Sequence, residues 1–180
     1  MQERKPRRLD STGLWAFALK LLTGRAYSIG ELREKLNRRA ETPGDIDEML
    51  TRLKEHGYLN DQRFAEGYAA ARLANEKLGG SRVVRDLRRR RVAPALAEDT
   101  VREVYRDVDE TALIEDWIRR KYRLASRDAL FREDKDMAAA YRRLVRAGFR
   151  TADILRSLKR FALNPELLDA FEPPEQEGDE

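Results

Sequence analysis

Apolar residues return every three or four positions along most of the chain, the spacing that gathers them on one side of a helix. Leu14, Phe17, Ala18, Leu21 and Leu22 fall at i, i+3, i+4, i+7 and i+8 and form one such stripe. Ser28 followed by Glu31 is a capping-box signature, in which hydroxyl and carboxylate satisfy two N–H groups at a helix start. It predicts a second helix from about Ile29 to Arg39, with Ile29, Leu32 and Leu36 inward. Thr42 and Pro43 read as an N-cap and first helical position ahead of Ile46, Met49, Leu50 and Leu53, and Gly57 is placed to stop that helix.

The same reading continues downstream. A helix opening at Asn60 or Asp61 carries Phe64, Ala65, Tyr68 and Ala69 inward and breaks at Gly79-Gly80. Ser81 caps a helix bearing Val83, Val84 and Leu87, and Pro94 starts another with Ala97, Val101, Val104 and Tyr105. Leu113, Trp117 and Ile118 mark the next, followed by a longer connection from Arg123 to Glu133. Met137, Ala140, Tyr141 and Leu144 lie on a helix ended by Gly148, and Thr151 caps a last one with Ile154, Leu155, Leu158 and Phe161. Apolar and polar residues nowhere alternate over a strand length, so no sheet is expected.

These helices repeat. An offset of 51 residues pairs Leu32 with Val83, Leu36 with Leu87, Pro43 with Pro94 and Leu50 with Val101; a further 57 pairs Val83 with Ala140, Leu87 with Leu144 and Val92 with Phe149. The expectation is an all-α chain of three tandem three-helix repeats at 13–59, 60–107 and 108–163, after a basic extension 1–12 and before an acidic tail 164–180.

Charge sharpens the picture. The formal net charge is only +4, but all seven charged residues from Asn164 onward are acidic, which leaves +11 on the preceding 163. A basic body implies an anionic partner, and Pro173-Pro174 with the acidic run argues for a frayed end whose simplest role is solubility. Cysteine is absent, which excludes disulfides and thiol chemistry. No apolar stretch approaches the ~18 residues of a membrane span, and no apolar region follows the basic start, so the expected location is the cytoplasm.

No enzyme constellation emerges. There is no glycine-rich phosphate loop, and the only histidine, His56, sits at a helix end where it suits the exposed carbonyls better than catalysis. Ser11, Ser28 and Ser81 read as caps or linker residues, and carboxylates such as Glu31 lie near cations such as Lys35 in the pattern of a solvated helix face. No cofactor or metal is expected. The strongest local signal is the run from Ser81 to Arg91, with six arginines in ten residues balanced locally by Asp86 alone. Val83, Val84 and Leu87 centre on one side of this helix, Arg82, Arg85 and Arg89 on the other, with Arg88 and Arg90 flanking. Guanidinium forks suit phosphate or carboxylate. Arg119, Arg120, Lys121 and Arg123, and Arg142, Arg143 and Arg146, form lesser clusters that read as solvated faces. Of the aromatic residues Trp15, Phe17, Phe64, Tyr68, Trp117 and Tyr141 fit a core, whereas Tyr27 and Tyr58 stand at loops suited to exposed contacts.

The stretch Gly57-Tyr58-Leu59-Asn60-Asp61-Gln62-Arg63-Phe64-Ala65, followed by Tyr68, Arg72, Gly79 or Gly80, Arg82, Val83, Leu87 and Arg88, resembles the RecX family of recombinase regulators. Ala18, Leu21, Arg25, Ser28, Glu31-Leu32 and Leu36 resemble the start of the same family. The resemblance covers about residues 14 to 92 and continues to about 161 at the level of periodicity. It implies an elongated, curved array of three-helix repeats that binds the RecA filament on DNA and limits strand exchange, ATP turnover and filament growth without being a catalyst. On that reading the partner-binding residues are Arg82, Arg85, Arg88 and Arg89, facing acidic protein or phosphate, with Tyr58, Asp61 and Arg72 positioning the middle repeat of a monomer that touches DNA weakly, if directly at all. Asp61 serves partly as an N-cap. The chain departs from the family at Arg91, where a glycine usually precedes the apolar residue ending the motif helix, which puts a left-handed cap there in doubt. Two rivals stay open: an autonomous nucleic-acid-binding protein built from helix-turn-helix units, and a helical-repeat scaffold for another protein.

Overall fold

The computed structural model describes residues 8–122 and 134–161. The connection 123–133, the first seven residues and the tail from 162 lie outside them. The described residues are all-α, as the periodicity predicts: α1 (Ser11–Gly24), α2 (Ile29–Asn37), α3 (Gly44–Glu55), α4 (Asp61–Ala71), α5 (Gly80–Arg89), α6 (Pro94–Val104), α7 (Glu110–Tyr122), α8 (Asp134–Arg146) and α9 (Thr151–Phe161). A π turn, Arg72–Glu76, extends α4 and ends at Lys77, whose backbone is left-handed (φ 54°). Among the described residues the one extended pairing is a single parallel bridge, Leu9 to Ala40, which ties the chain ahead of α1 to the end of α2.

Contacts divide the chain into two compact units, Met1–Ala69 with Asp86–Val101, and Ala70–Arg85 with Arg102–Glu180. In the first, Leu14 and Ala18 of α1, Leu32 and Leu36 of α2 and Ile46, Met49, Leu50 and Leu53 of α3 form one core with Ala40 and Leu59. Most positions expected inward are buried, although Phe17, Leu21, Leu22 and Ile29 only half submerge at its edge. In the second, Leu113, Ile114 and Ile118 of α7 meet Met137, Ala140, Tyr141 and Leu144 of α8 and Ile154, Leu158 and Phe161 of α9, with Leu73 and Leu78 packed alongside.

Helix starts agree with the sequence in part. Ser28 and Glu31 form the expected capping box: Glu31 N–H donates to Ser28 Oγ (3.0 Å) and Ser28 N–H to Glu31 Oε2 (3.3 Å). Pro94 is the first residue of α6 as expected. Three expected caps differ. Pro43 is already helical (φ −59°, ψ −30°) and no side chain caps α3, since proline's fixed φ preorganises the turn. Ser81 lies inside α5, whose first bonds go instead to the Gly79 carbonyl. Thr151 is the first helical residue of α9, and its hydroxyl lies 3.4 Å from the Tyr141 hydroxyl.

Three helix ends share one motif. After α3, α5 and α8 the chain closes a Schellman motif, with paired bonds from Tyr58 to Leu53 and Gly57 to Lys54, Val92 to Leu87 and Arg91 to Arg88, and Phe149 to Leu144 and Gly148 to Val145. The left-handed residue is Gly57 (φ 72°), Arg91 (φ 61°) and Gly148 (φ 90°). The left-handed cap therefore forms at Arg91 without a glycine. The strain of an L-residue there, roughly 1 kcal/mol, is offset by burying Val92 against the Leu87 turn and by an ion pair from Arg91 Nε to Glu34 Oε2 (3.0 Å).

Arg91 in this conformation presses its Cβ and carbonyl onto the backbone of α2 at Gly30, where a methyl group would overlap both. Gly30→Ala is therefore expected to destabilise by about 1–3 kcal/mol, overpacking outweighing the gain in helix propensity. Gly67→Ala in α4, which meets nothing, should instead stabilise by roughly 0.5–1 kcal/mol; urea unfolding of both variants decides, and equal signs would contradict the close contact.

At the start of α7, Glu110 keeps one carboxylate oxygen buried without a hydrogen bond, 3.7 Å from Arg150 Nε. Burial raises its carboxyl above the ordinary value and the neighbouring Asp153 adds to the rise, while Arg150 opposes it. A raised folded-state value means that the stabilisation from this group is present below the unfolded-state value and is lost as pH rises through the folded one. Glu110→Gln should thus raise Tm relative to wild type at pH 7, with the difference shrinking as pH falls towards 4; a pH-independent difference would show that titration of Glu110 is not its source.

Candidate functional site

The arginine helix α5 is amphipathic in the expected sense, with Val83 and Leu87 fully buried. Its cations do not act as one group. In the second unit, Arg82 and Arg85 are half-buried, and their guanidinium groups approach the carbonyl of Arg146 at the end of α8 at 3.4 and 3.5 Å, where the helix dipole favours positive charge. Arg72 pairs with Glu76 across the π turn in the same unit.

In the first unit the remaining arginines meet acids from other helices. Arg88 pairs with Glu98 of α6 and Arg91 with Glu34 of α2. Arg90 turns inward. Its guanidinium lies 4.9 Å from the centre of the Phe64 ring and 5.1 Å from that of Tyr68, its Nε donates to Glu31 Oε1 at 3.1 Å, and its carbonyl accepts from the buried Ser28 hydroxyl. Arg89 is exposed and has no ion-pair partner among the described residues. The sequence shows Asp86 as the only local balance, but Glu31, Glu34 and Glu98 balance the run from a distance. Sequence spacing gave no sign of this, because the partners lie on other helices.

Asp61 is the first residue of α4, and its cap is Asn60, whose Oδ1 accepts from Arg63 N–H at 2.9 Å. The Asp61 carboxylate instead accepts the Ile29 N–H at 2.8 Å, satisfying a donor at the start of α2. Burial raises the Asp61 carboxyl and this bond opposes the rise. Asp61 is thus a cap for a neighbouring helix, a role that corrects the reading of it as the cap of its own.

Tyr58 stands out in the first unit. It is 55% exposed while its neighbour Leu59 is 3% exposed, because the left-handed turn at Gly57 sends the two side chains apart. It lines a cleft of about 360 Å³ with Tyr27, Arg63 and Phe64. His56 occupies the C-terminal position of α3, as expected, and lies between Trp15 and Tyr58, with ring centres 6.2 and 6.3 Å away. Arg52 sits 4.7 Å over Trp15. Sequence reasoning singled out Tyr27 and Tyr58 but missed Trp15 and His56 as their extension, since both occur on helices that also carry core residues.

Arg123 lies outside the described residues, and two members of the lesser basic clusters have partners on their own or a neighbouring helix. Arg119 bonds Glu115 and Asp116, and Arg160 reaches Glu115 at 2.5 Å. Arg143 donates to the Tyr122 hydroxyl. Among the described residues no helix is long and apolar enough to cross a membrane, and no group of three or more acids or histidines is placed to hold a metal.

Residues 15–53 match the first three-helix domain of RecX and residues 60–101 the second. A regulatory protein RecX from Trichlorobacter lovleyi is 42% identical over 52% of this chain and 60% of its own length. One from Deinococcus radiodurans is 34% identical over 96% of this chain and 77% of its own length. The crystal structure of RecX from Lactobacillus salivarius superposes with a TM-score of 0.68 over 84% of this chain and 96% of that one, at 18% identity, a likeness of fold alone. The matches to some of these relatives, that from Trichlorobacter lovleyi included, span less than two thirds of their length. With a third of its residues shared with the Deinococcus protein along nearly its whole length, and two successive three-helix domains of the family in order, the chain belongs to the RecX family of regulatory proteins.

Proposed function

We propose that this chain is a cytoplasmic, non-enzymatic regulator that binds the RecA filament on DNA and inhibits its recombinase activity, ATP turnover and extension, within DNA repair and control of the SOS response. The observation that carries the reading is α5: an apolar stripe buried at Val83 and Leu87 and a surface of arginines of which Arg89 is exposed. The positive face suits acidic side chains or the phosphates of a nucleoprotein filament. Arg82, Arg85, Arg88 and Arg89 are the contact residues in this proposal. Asp61 and Arg72 act by positioning, the first through the start of α2 and the second through the π turn. Tyr58 adds an exposed ring.

Inhibition by such a regulator needs no chemistry of its own. A protein that binds one filament state better than another shifts the equilibrium by its differential affinity alone, so even a tenfold preference, about 1.4 kcal/mol, slows turnover measurably. Charge at the contact also speeds encounter and makes it sensitive to salt.

Arg89→Glu is the cleanest variant, since it breaks no ion pair among the described residues, and Arg85→Glu extends it. Both should relieve inhibition of DNA-stimulated ATP hydrolysis by RecA, with helicity by circular dichroism unchanged. Full inhibition by well-folded Arg85→Glu/Arg89→Glu would remove α5 from the contact. Wild type should also bind RecA-coated single-stranded DNA far more tightly than the same DNA alone; equal binding with no effect on hydrolysis would overturn the regulator reading.

A further inference from the structure

The cleft beside Tyr58 belongs wholly to the first unit. Its lining includes Leu22 near the end of α1, Ala26 just beyond that helix, and the rings of Tyr27, Tyr58 and Phe64. Arg63 supplies a permanent charge to the lining, and no carboxylate contributes. Asn60, also in the lining, uses its carboxamide oxygen to cap Arg63 N–H, which leaves its NH2 as the remaining polar group. A flat occupant with carbonyl acceptors on its edge and a negative charge nearby fits this set.

The surroundings extend the pattern. The Arg25 guanidinium stacks 3.7 Å over the Tyr27 ring while pairing with Glu31 at 3.3 Å. From Tyr58, rings and cation continue through His56 and Trp15 to Arg52. A peptide segment rarely offers flat groups at successive positions, whereas a single nucleic-acid strand offers one π-face per nucleotide along an anionic backbone. Tyr58 is also held for such a contact. Its N–H is fixed to the Leu53 carbonyl at 2.9 Å, so the ring projects from a rigid turn and loses little freedom on stacking.

We infer that the cleft formed by Tyr27, Tyr58 and Arg63 is a binding site for single-stranded nucleic acid, taking one unstacked base against the tyrosines, with Arg63 and Arg52 following the phosphates. The site does not depend on the contact of α5 with RecA. It gives the chain its own grip on exposed single strand, by stacking and charge and therefore without strong sequence preference.

The test compares binding of the full chain, by fluorescence anisotropy, to a thymidine oligonucleotide roughly 20 nucleotides long and to an abasic strand of equal length and charge. Wild type should prefer the thymidine strand. Tyr58→Ala and Tyr27→Ala should each weaken thymidine binding about 5- to 100-fold and leave abasic binding unchanged, while Tyr58→Phe keeps the preference. Arg63→Ala should weaken both strands and flatten the salt dependence. Equal wild-type affinity for the two strands overturns the inference, as does an unchanged preference in folded Tyr58→Ala. So would a Tyr58→Ala defect confined to RecA without DNA, which would make the occupant a protein side chain. Loss of RecA inhibition by the α5 variants with an intact thymidine preference separates the two sites.

Discussion

The first turn of α2 is the junction on which the first unit depends. A helix start leaves four N–H groups without intrahelical partners, and here side chains from two parts of the chain meet three of them. The Ser28 hydroxyl takes Glu31 N–H, the Glu31 carboxylate takes Ser28 N–H, and the Asp61 carboxylate takes Ile29 N–H. The Ser28 hydroxyl also donates to the carbonyl of Arg90, whose side chain returns to Glu31. Ser28 is fully buried, so removing any one partner strands a polar group away from water, at roughly 1–3 kcal/mol. The capping box visible in the sequence is thus half of a larger arrangement that fixes the start of α4 and the end of α5 against α2.

That junction divides the arginines by role. Arg90, held between Phe64, Tyr68 and Glu31, and Arg91, turned left-handed against Gly30, are structural. Their charges are neutralised by Glu31 and Glu34, and the attraction of Arg91 holds the Glu34 carboxyl below its ordinary value. Arg89, one residue earlier, projects into solvent. Six arginines in ten residues look like one electrostatic feature in the sequence, but the end of the helix splits them into an anchor and a surface. The usable positive field is smaller than the run implies.

Much of this was legible beforehand for a physical reason. Helical stripes, proline at the start of α6 and glycines after α3 and α8 are local signals, carried by residues within a turn or two, and each appears where the spacing places it. The family resemblance likewise rested on local spacing around Asp61 and Phe64. What was not legible is relational. Nothing near Asp61 announces that it serves Ile29, 32 residues earlier, and nothing near Arg88 points to Glu98 on the following helix. The same holds for the cleft: Tyr27 and Tyr58 were each read as exposed, but their meeting around Leu22 and Phe64 comes from how α1, α3 and α4 pack. Caps misread at Thr42, Ser81 and Thr151 share a cause, because a backbone carbonyl one or two residues upstream, or a proline, already met the need.

The left-handed turn at Arg91 changes what a signature of this helix should contain. A search keyed to glycine at that place would overlook a chain that makes the same turn with an arginine. A residue without a side chain is needed instead across the contact, at Gly30, where the arginine's Cβ and carbonyl rest. Positions 30 and 91 therefore form one steric unit: the side chain tolerated at either is set by the conformation and bulk of the other, 61 places apart in sequence and in contact in the fold.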